Sequence, residues 1–242
     1  MVIIILETIT IGAVFAQFNS LQIDYSKLTR EYEVLQSDYL KLKREAVSPP
    51  YTIISGRNVT WAFKLSTGEL VKWEMPIDTY RAVISKTKPV GYLNLKGDTK
   101  TYRVMDYRPF VDSQSFSKVM PPLYYKINDD RKFIHEVWYI VAQLTIYSKE
   151  ITETPRWALE TLTEAGGDCE DTSILVASML KAAPANYQVK LVYLDANNPT
   201  SPKTVNHVVV WVETGTYKTH IETTSKTVMN PYESVLGWYY EV

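Results

Sequence analysis

The chain has 242 residues, 45% of them apolar and 22% charged, and 27 acids against 26 Lys and Arg leave a formal net charge of −1. That balance excludes a disordered chain, and the near-zero charge excludes a basic footprint for nucleic acid. The single cysteine, Cys169, excludes an internal disulfide and a multi-Cys zinc site.

Residues 1–18 are almost wholly apolar, broken by Glu7, Thr8, Thr10 and Gln17. About 20 apolar residues cross a bilayer as a helix, so this run has the length of a short membrane anchor. A signal peptide cut after Ala16 and a buried core helix are the competing readings. Residues 19–48 carry a heptad. Phe18, Tyr25, Tyr32, Tyr39 and Ala46 recur every seven residues, and Leu21, Leu28, Leu35 and Leu42 form the second series. Charged residues such as Lys27, Arg30, Glu31 and Lys41 fill the remaining faces, which predicts a coiled-coil stalk and homo-oligomerisation through it. A helix packed on its own domain is the alternative. Pro49-Pro50 stops the pattern.

Residues 51–118 read as the β-rich first part of a globular domain. Tyr51–Ile54, Val59–Phe63 and Tyr102–Met105 are β-branched and aromatic runs separated by glycines. Asn58-Val59-Thr60 is a glycosylation sequon, which has meaning only outside the cytoplasm. Residues 119–242 read as a catalytic core. Phe133, Val137, Ile140, Val141 and Leu144 line one face of a helix over 131–144 that starts after Asp129-Asp130. Thr154-Pro155 predicts the start of a short helix, as N-cap and first helical residue, and Gly166-Gly167 its end. Asp168 then predicts the N-cap of a buried apolar helix, with Asp171 as the acid of a capping box. No internal repeat, Walker loop or dinucleotide-type glycine fingerprint is present.

Cys169 falls on the first turn of that helix, where unpaired amides favour a thiolate. Asp168, Glu170 and Asp171 oppose this, so a reactive sulfur needs a positive partner. Residues 205–212 and 216–223 alternate as two strands. If Thr214-Gly215 is a two-residue turn, Glu213 faces Thr216 and His207 faces Glu222, with Cβ atoms about 4.5–5.5 Å apart. Val208, Val210, Val212, Tyr217, Thr219 and Ile221 then form a core face, and His207, Val209, Trp211, Lys218, His220 and Glu222 lie on the other, more polar face. Cys169 as nucleophile, His207 as general base and Glu222 as the acid that orients the ring make a coherent triad. His220 is the rival base. An inert core cysteine and a surface His–Glu pair are the plainer reading of the same residues.

Glu160-Thr161-Leu162, Gly166-Gly167-Asp168-Cys169-Glu170-Asp171, Asn206-His207-Val208-Val209-Val210 and Glu222-Thr223-Thr224 together resemble the transglutaminase-like superfamily of papain-fold cysteine enzymes, in its microbial branch. The likeness spans roughly residues 130–242. It implies an α+β fold with a Cys-bearing helix packed on an antiparallel sheet, and the three roles above on Cys169, His207 and Glu222. Many members carry Asp where this chain has Glu222. The resemblance also implies acyl transfer or hydrolysis at protein or peptide amides through a thioester, with no cofactor and no metal. Two alternatives share the fold: a catalytically inactive binding or scaffold module of the cell envelope, and a cysteine protease with the same triad. Gln143 and Trp157 are candidate oxyanion donors beside the Cys169 amide. An anchor followed by a stalk places the globular domain outside the cytoplasm, or secreted if residues 1–16 are cleaved, with the membrane and a protein substrate as the partners.

Overall fold

β-Branched and aromatic alternation builds the strands, and 3.6-residue apolar periodicity builds the helices. The computed structural model describes residues 21–31, 49–148, 154–232 and 234–242. Residues 21–31 are helical (α1). The apolar run 1–18 and the second half of the heptad lie outside the described residues, and among those described no helix is long and apolar enough to cross a membrane.

Residues 49–242 form one unit of mixed α+β architecture. Strands β1 (Tyr51–Ser55), β2 (Asn58–Lys64) and β3 (Leu70–Pro76) make a three-stranded antiparallel sheet. Helix α2 (Ile77–Ile84) follows, and then the hairpin of β4 (Tyr92–Lys96) and β5 (Thr101–Met105). Helices α3 (Met120–Ile127) and α4 (Asp130–Leu144) come next. Asp129 caps α4 as expected, its carboxylate accepting the Lys132 amide at 2.8 Å.

The second half carries β6 (Ile146–Tyr147), α5 (Ala158–Glu164), β7 (Gly166–Gly167) and α6 (Cys169–Lys181), then β8 (Gln188–Leu194), β9 (His207–Glu213), β10 (Lys218–Ile221) and β11 (Trp238–Glu241). Strands β10, β9, β8 and β11 form, in that order, a four-stranded antiparallel sheet. Helix α6 packs on β8 and β9 and is flanked by α4 and α5. Every residue of α6 from Glu170 to Leu180 is buried, so the Cys-bearing helix is the central element of the unit.

Three local expectations are corrected. Helix α5 begins at Ala158 with Trp157 at the N-cap, not at Thr154-Pro155. It ends on Ala165, which takes a left-handed φ of 56°, and Gly166-Gly167 go on to pair as a strand with Ile146-Tyr147. Asp168 occupies the N-cap of α6 without a side-chain cap hydrogen bond, and Asp171 accepts the Arg156 amide at 2.7 Å where a capping box was expected.

The β9–β10 register also differs. Glu213 pairs with Lys218 and Val210 with Ile221, so the connection is four residues long and the ladder is offset by two. Thr214 is the physical reason. Its hydroxyl accepts the Thr216 and Tyr217 amides at 3.2 and 3.0 Å, and its own amide donates to Tyr217 O at 2.7 Å, closing a wider turn than the dipeptide would. An offset of two leaves every side chain on its face, so Val208, Val210, Val212 and Ile221 still enter the main core. On the opposite face Val192, Leu194 and Val209 form a second apolar cluster, covered by Trp211, Tyr232 and Val235.

Candidate active site

Cys169 opens α6 and is partly buried. The two glycines before it are fixed by close approach. A Cβ on Gly167 would stand 2.6 Å from Asp171 Cβ, and one on Gly166 would stand 3.2 Å from Ile146 O. Bulk at either position would push the chain off Asp171 or off β6, and the first turn of α6 with it.

A hydroxyl network pins this helix start to the strand ends. Thr172 Oγ1 lies 2.8 Å and Ser173 Oγ 3.1 Å from Thr223 Oγ1, and Ser173 donates to Val208 O at 3.0 Å. Thr172 and Ser173, adjacent hydroxyls on the first turns of a buried helix, were the available signal for these contacts. Upstream of His207, the buried carboxylate of Asp195 accepts the Asn197, Lys203 and Thr204 amides at 3.0, 3.0 and 3.2 Å and so organises the loop that delivers the histidine.

His207 Nε2 lies 2.7 Å from Glu222 Oε2, with the two side chains 13% and 8% exposed. In the observed register Glu222 continues β10 beyond Ile221 and is a diagonal neighbour of His207, a separation that a long side chain spans. Glu222 is held on every polar atom. Oε1 accepts the Thr224 amide and hydroxyl at 3.0 and 2.6 Å, Oε2 also accepts Tyr232 Oη at 2.7 Å, and the backbone carbonyl accepts Trp138 Nε1 at 3.1 Å. Burial works against its ionisation, but the bonds from His207, Thr224 and Tyr232 outweigh it and hold the carboxyl down at about 2. Glu222 is therefore a carboxylate, and Nε2 of His207 carries the proton it accepts. Nδ1 makes no hydrogen bond among the described residues. Tyr232, which steadies the acid from the loop that follows β10, had no sequence signal.

Cys169 and His207 line the same cavity of about 520 Å³, with Asp168, Glu170, Tyr147, Tyr193, Asn206 and the β4–β5 hairpin around them. The sulfur is not paired with the imidazole at rest. Sγ donates to Glu170 Oε2 at 3.3 Å. Burial first, and the Glu170 charge second, push the thiol pKa up, while the Val208 N–H works the other way. Burial and the neighbouring Asp168 push Glu170 itself up to about 8. The helix start alone would favour a thiolate, but its effect is a kcal/mol or two at most, and it loses to desolvation and the carboxyl group.

The remaining candidates fall elsewhere. His220 bonds Tyr239 Oη at 2.8 Å and does not line the cavity. Gln143 is committed to the Lys64 backbone, donating to its carbonyl at 2.7 Å and accepting its amide at 3.2 Å. The Trp157 indole packs against Phe110 in the core. Among the described residues no group of three or more His, Cys, Asp or Glu is arranged to hold a metal ion.

No family model matches the chain, and no curated protein matches it. Among solved structures it is similar to a proposed cysteine protease from Cytophaga hutchinsonii, at 13% identity and a TM-score of 0.41, over 77% of this chain and 72% of that one. It is also similar to a proposed protease from Parabacteroides distasonis ATCC 8503, at 11% identity and a TM-score of 0.32, over 76% of this chain and 40% of that one.

Proposed function

We propose that this chain is a thiol-dependent enzyme of the transglutaminase-like kind, which cleaves or transfers protein or peptide amides through a thioester on Cys169. The observation that carries this reading is the 2.7 Å bond from His207 Nε2 to an ionised Glu222, which leaves Nδ1 unbonded in the cavity the ring shares with Cys169. The carboxylate fixes the tautomer, so Nδ1 is the basic atom. Sγ attacks the carbonyl carbon while its proton passes to Nδ1, and the C–N bond then breaks as that proton goes to the departing amine. Water or a primary amine resolves the thioester. The reading extends to residues 1–18 as a membrane anchor and 19–48 as a self-associating stalk, with the enzyme outside the cytoplasm; the sequence pattern alone supports that part.

A second reading is favoured by the Sγ–Glu170 contact: a module whose cysteine is held neutral and idle, serving as a scaffold. One experiment separates them. The full chain is incubated with a Gln-containing peptide and a labelled primary amine, and both amine incorporation and ammonia or new amine termini are followed. An enzyme shows one of these activities, lost in Cys169→Ala and in His207→Ala. A scaffold shows neither.

A further inference from the structure

The cavity holds a polar group that the chemistry above leaves unused. Strand β6 runs parallel to β7, with Tyr147 opposite Gly167, and the Ser148 amide donates to Gly167 O at 3.0 Å. Tyr147 is thereby tied, one strand spacing away, to the residue two places before the nucleophile. Its ring lines the cavity beside Cys169 and His207. Its hydroxyl makes no hydrogen bond among the described residues. By contrast, Tyr193 Oη in the same cavity is committed to the Tyr107 amide and to Met105 O. The side chain is half-exposed, but partial desolvation, then the charges of Cys169, Asp168, Glu170 and Glu222, raise the Tyr147 pKa, so the phenol keeps its proton and is available as a donor.

Attack on a carbonyl puts negative charge on its oxygen, and this needs donors fixed in advance. The Cys169 amide, at the first turn of α6, has no intrahelical acceptor and can supply one. Gln143 is committed to the Lys64 backbone, and the Trp157 indole N–H, though without a hydrogen-bond partner among the described residues, is buried and does not line the cavity. We propose that the Tyr147 hydroxyl is the second donor to the oxyanion formed when Cys169 attacks its substrate. In that step the C–S bond forms, the carbonyl π pair moves onto oxygen and the thiol proton goes to His207. On collapse the C–O double bond returns and the leaving group departs. Tyr147 donates a hydrogen bond throughout and transfers no proton.

This inference rests on the acyl-transfer reading, and the test keeps the two apart. Tyr147→Phe and Cys169→Ala in the full chain are compared for hydrolysis of p-nitrophenyl acetate and for iodoacetamide alkylation, which forms no oxyanion. Tyr147→Phe is expected to lower kcat by about 100-fold, with KM and the alkylation rate within about twofold of the parent. If it leaves kcat within about threefold while Cys169→Ala abolishes turnover, the Tyr147 role is overturned and the enzyme reading stands. Equal losses in turnover and alkylation also overturn it, because they mark a structural effect. If Cys169→Ala retains turnover, the enzyme reading falls and Tyr147 with it.

Discussion

Replacing Glu170 by Gln is expected to speed alkylation of Cys169 and to change the shape of its pH profile. Sγ lies 3.3 Å from Glu170 Oε2, and Glu170 is only 8% exposed, so solvent screens the pair weakly. Glu170, held up at about 8, ionises first, and the thiol must then lose its proton against that charge. At an effective dielectric constant of about 20, unit charges about 4 Å apart interact by about 4 kcal/mol, or ~3 pKa units. Because the parent also reaches its thiolate with Glu170 still protonated, removing the charge raises the thiolate fraction only by about the ratio of ionised to protonated Glu170, ~10-fold at about pH 9. Most of the parent's thiolate is then the form beside a protonated Glu170, as basic and as nucleophilic as that of the Gln variant, so the gain in rate is also ~10-fold. Pseudo-first-order iodoacetamide labelling from about pH 6 to pH 10 reads this directly. At about pH 9 the Gln variant is expected to react ~10-fold faster than the parent, and at about pH 6, where the parent's Glu170 is protonated, within a few-fold of it. A variant labelled no faster at the higher pH, or faster by the same factor at both, would refute this account of the thiol.

Two further substitutions probe the acid and the glycine pair. Glu222→Gln keeps the volume but places an amide where Nε2–H needs an acceptor. It is expected to lower kcat by ~10²–10⁴-fold with KM nearly unchanged, read on the same ester. The Glu222 carboxyl falls from 4.5 to about 2 on folding. Its contribution of about 3 kcal/mol is therefore fully present above the unfolded value and lost as pH drops through about 2. Urea unfolding of the parent should thus weaken between pH ~5 and ~2 by more than that of the Gln variant. Gly167→Ala sets a Cβ 2.6 Å from Asp171 Cβ and is expected to cost about 1–3 kcal/mol in thermal denaturation. Gly215→Ala, with nothing within 4 Å of the new atom, serves as control and should stay within about 0.5 kcal/mol.

The sequence made some parts of the fold legible because local periodicity decides them. The β1, β2 and β5 runs, α4 with its Asp129 cap, and the buried α6 all follow from residue spacing within one element. What stayed hidden depends on partners far along the chain. Gly166-Gly167 look like a helix stop until β6 is seen to need them as a strand partner. Strand β11 pairs with β8 across more than forty residues of intervening chain, a placement no local pattern encodes. The four-residue turn at Thr214 escapes a local reading because Gly215 invites the shorter one, while a single hydroxyl closes the longer. The His207–Glu222 pairing was nevertheless legible, since a two-residue offset preserves strand faces and Glu reaches a diagonal neighbour.

The electrostatics around Cys169 bear on the order of events in catalysis. A resting thiolate would need its stabilisers to exceed the cost of burial, and here a carboxyl sits on the sulfur while the imidazole is turned to Glu222 through Nε2. In the proposed mechanism the thiol stays neutral until a carbonyl enters, and its proton leaves only as the C–S bond forms, because only then does Nδ1 gain a partner worth reorganising for. Alkylation and turnover therefore sample different properties of one sulfur. The first reports the thiolate population that Glu170 suppresses, and the second the proton transfer that Glu222 supports through the ring. In such a site, acids on the two sides of the nucleophile have opposite effects without contradiction. On the proposed mechanism, Glu170 would keep the free protein slow to react with stray electrophiles, and Glu222 would make the histidine a base for a bound amide.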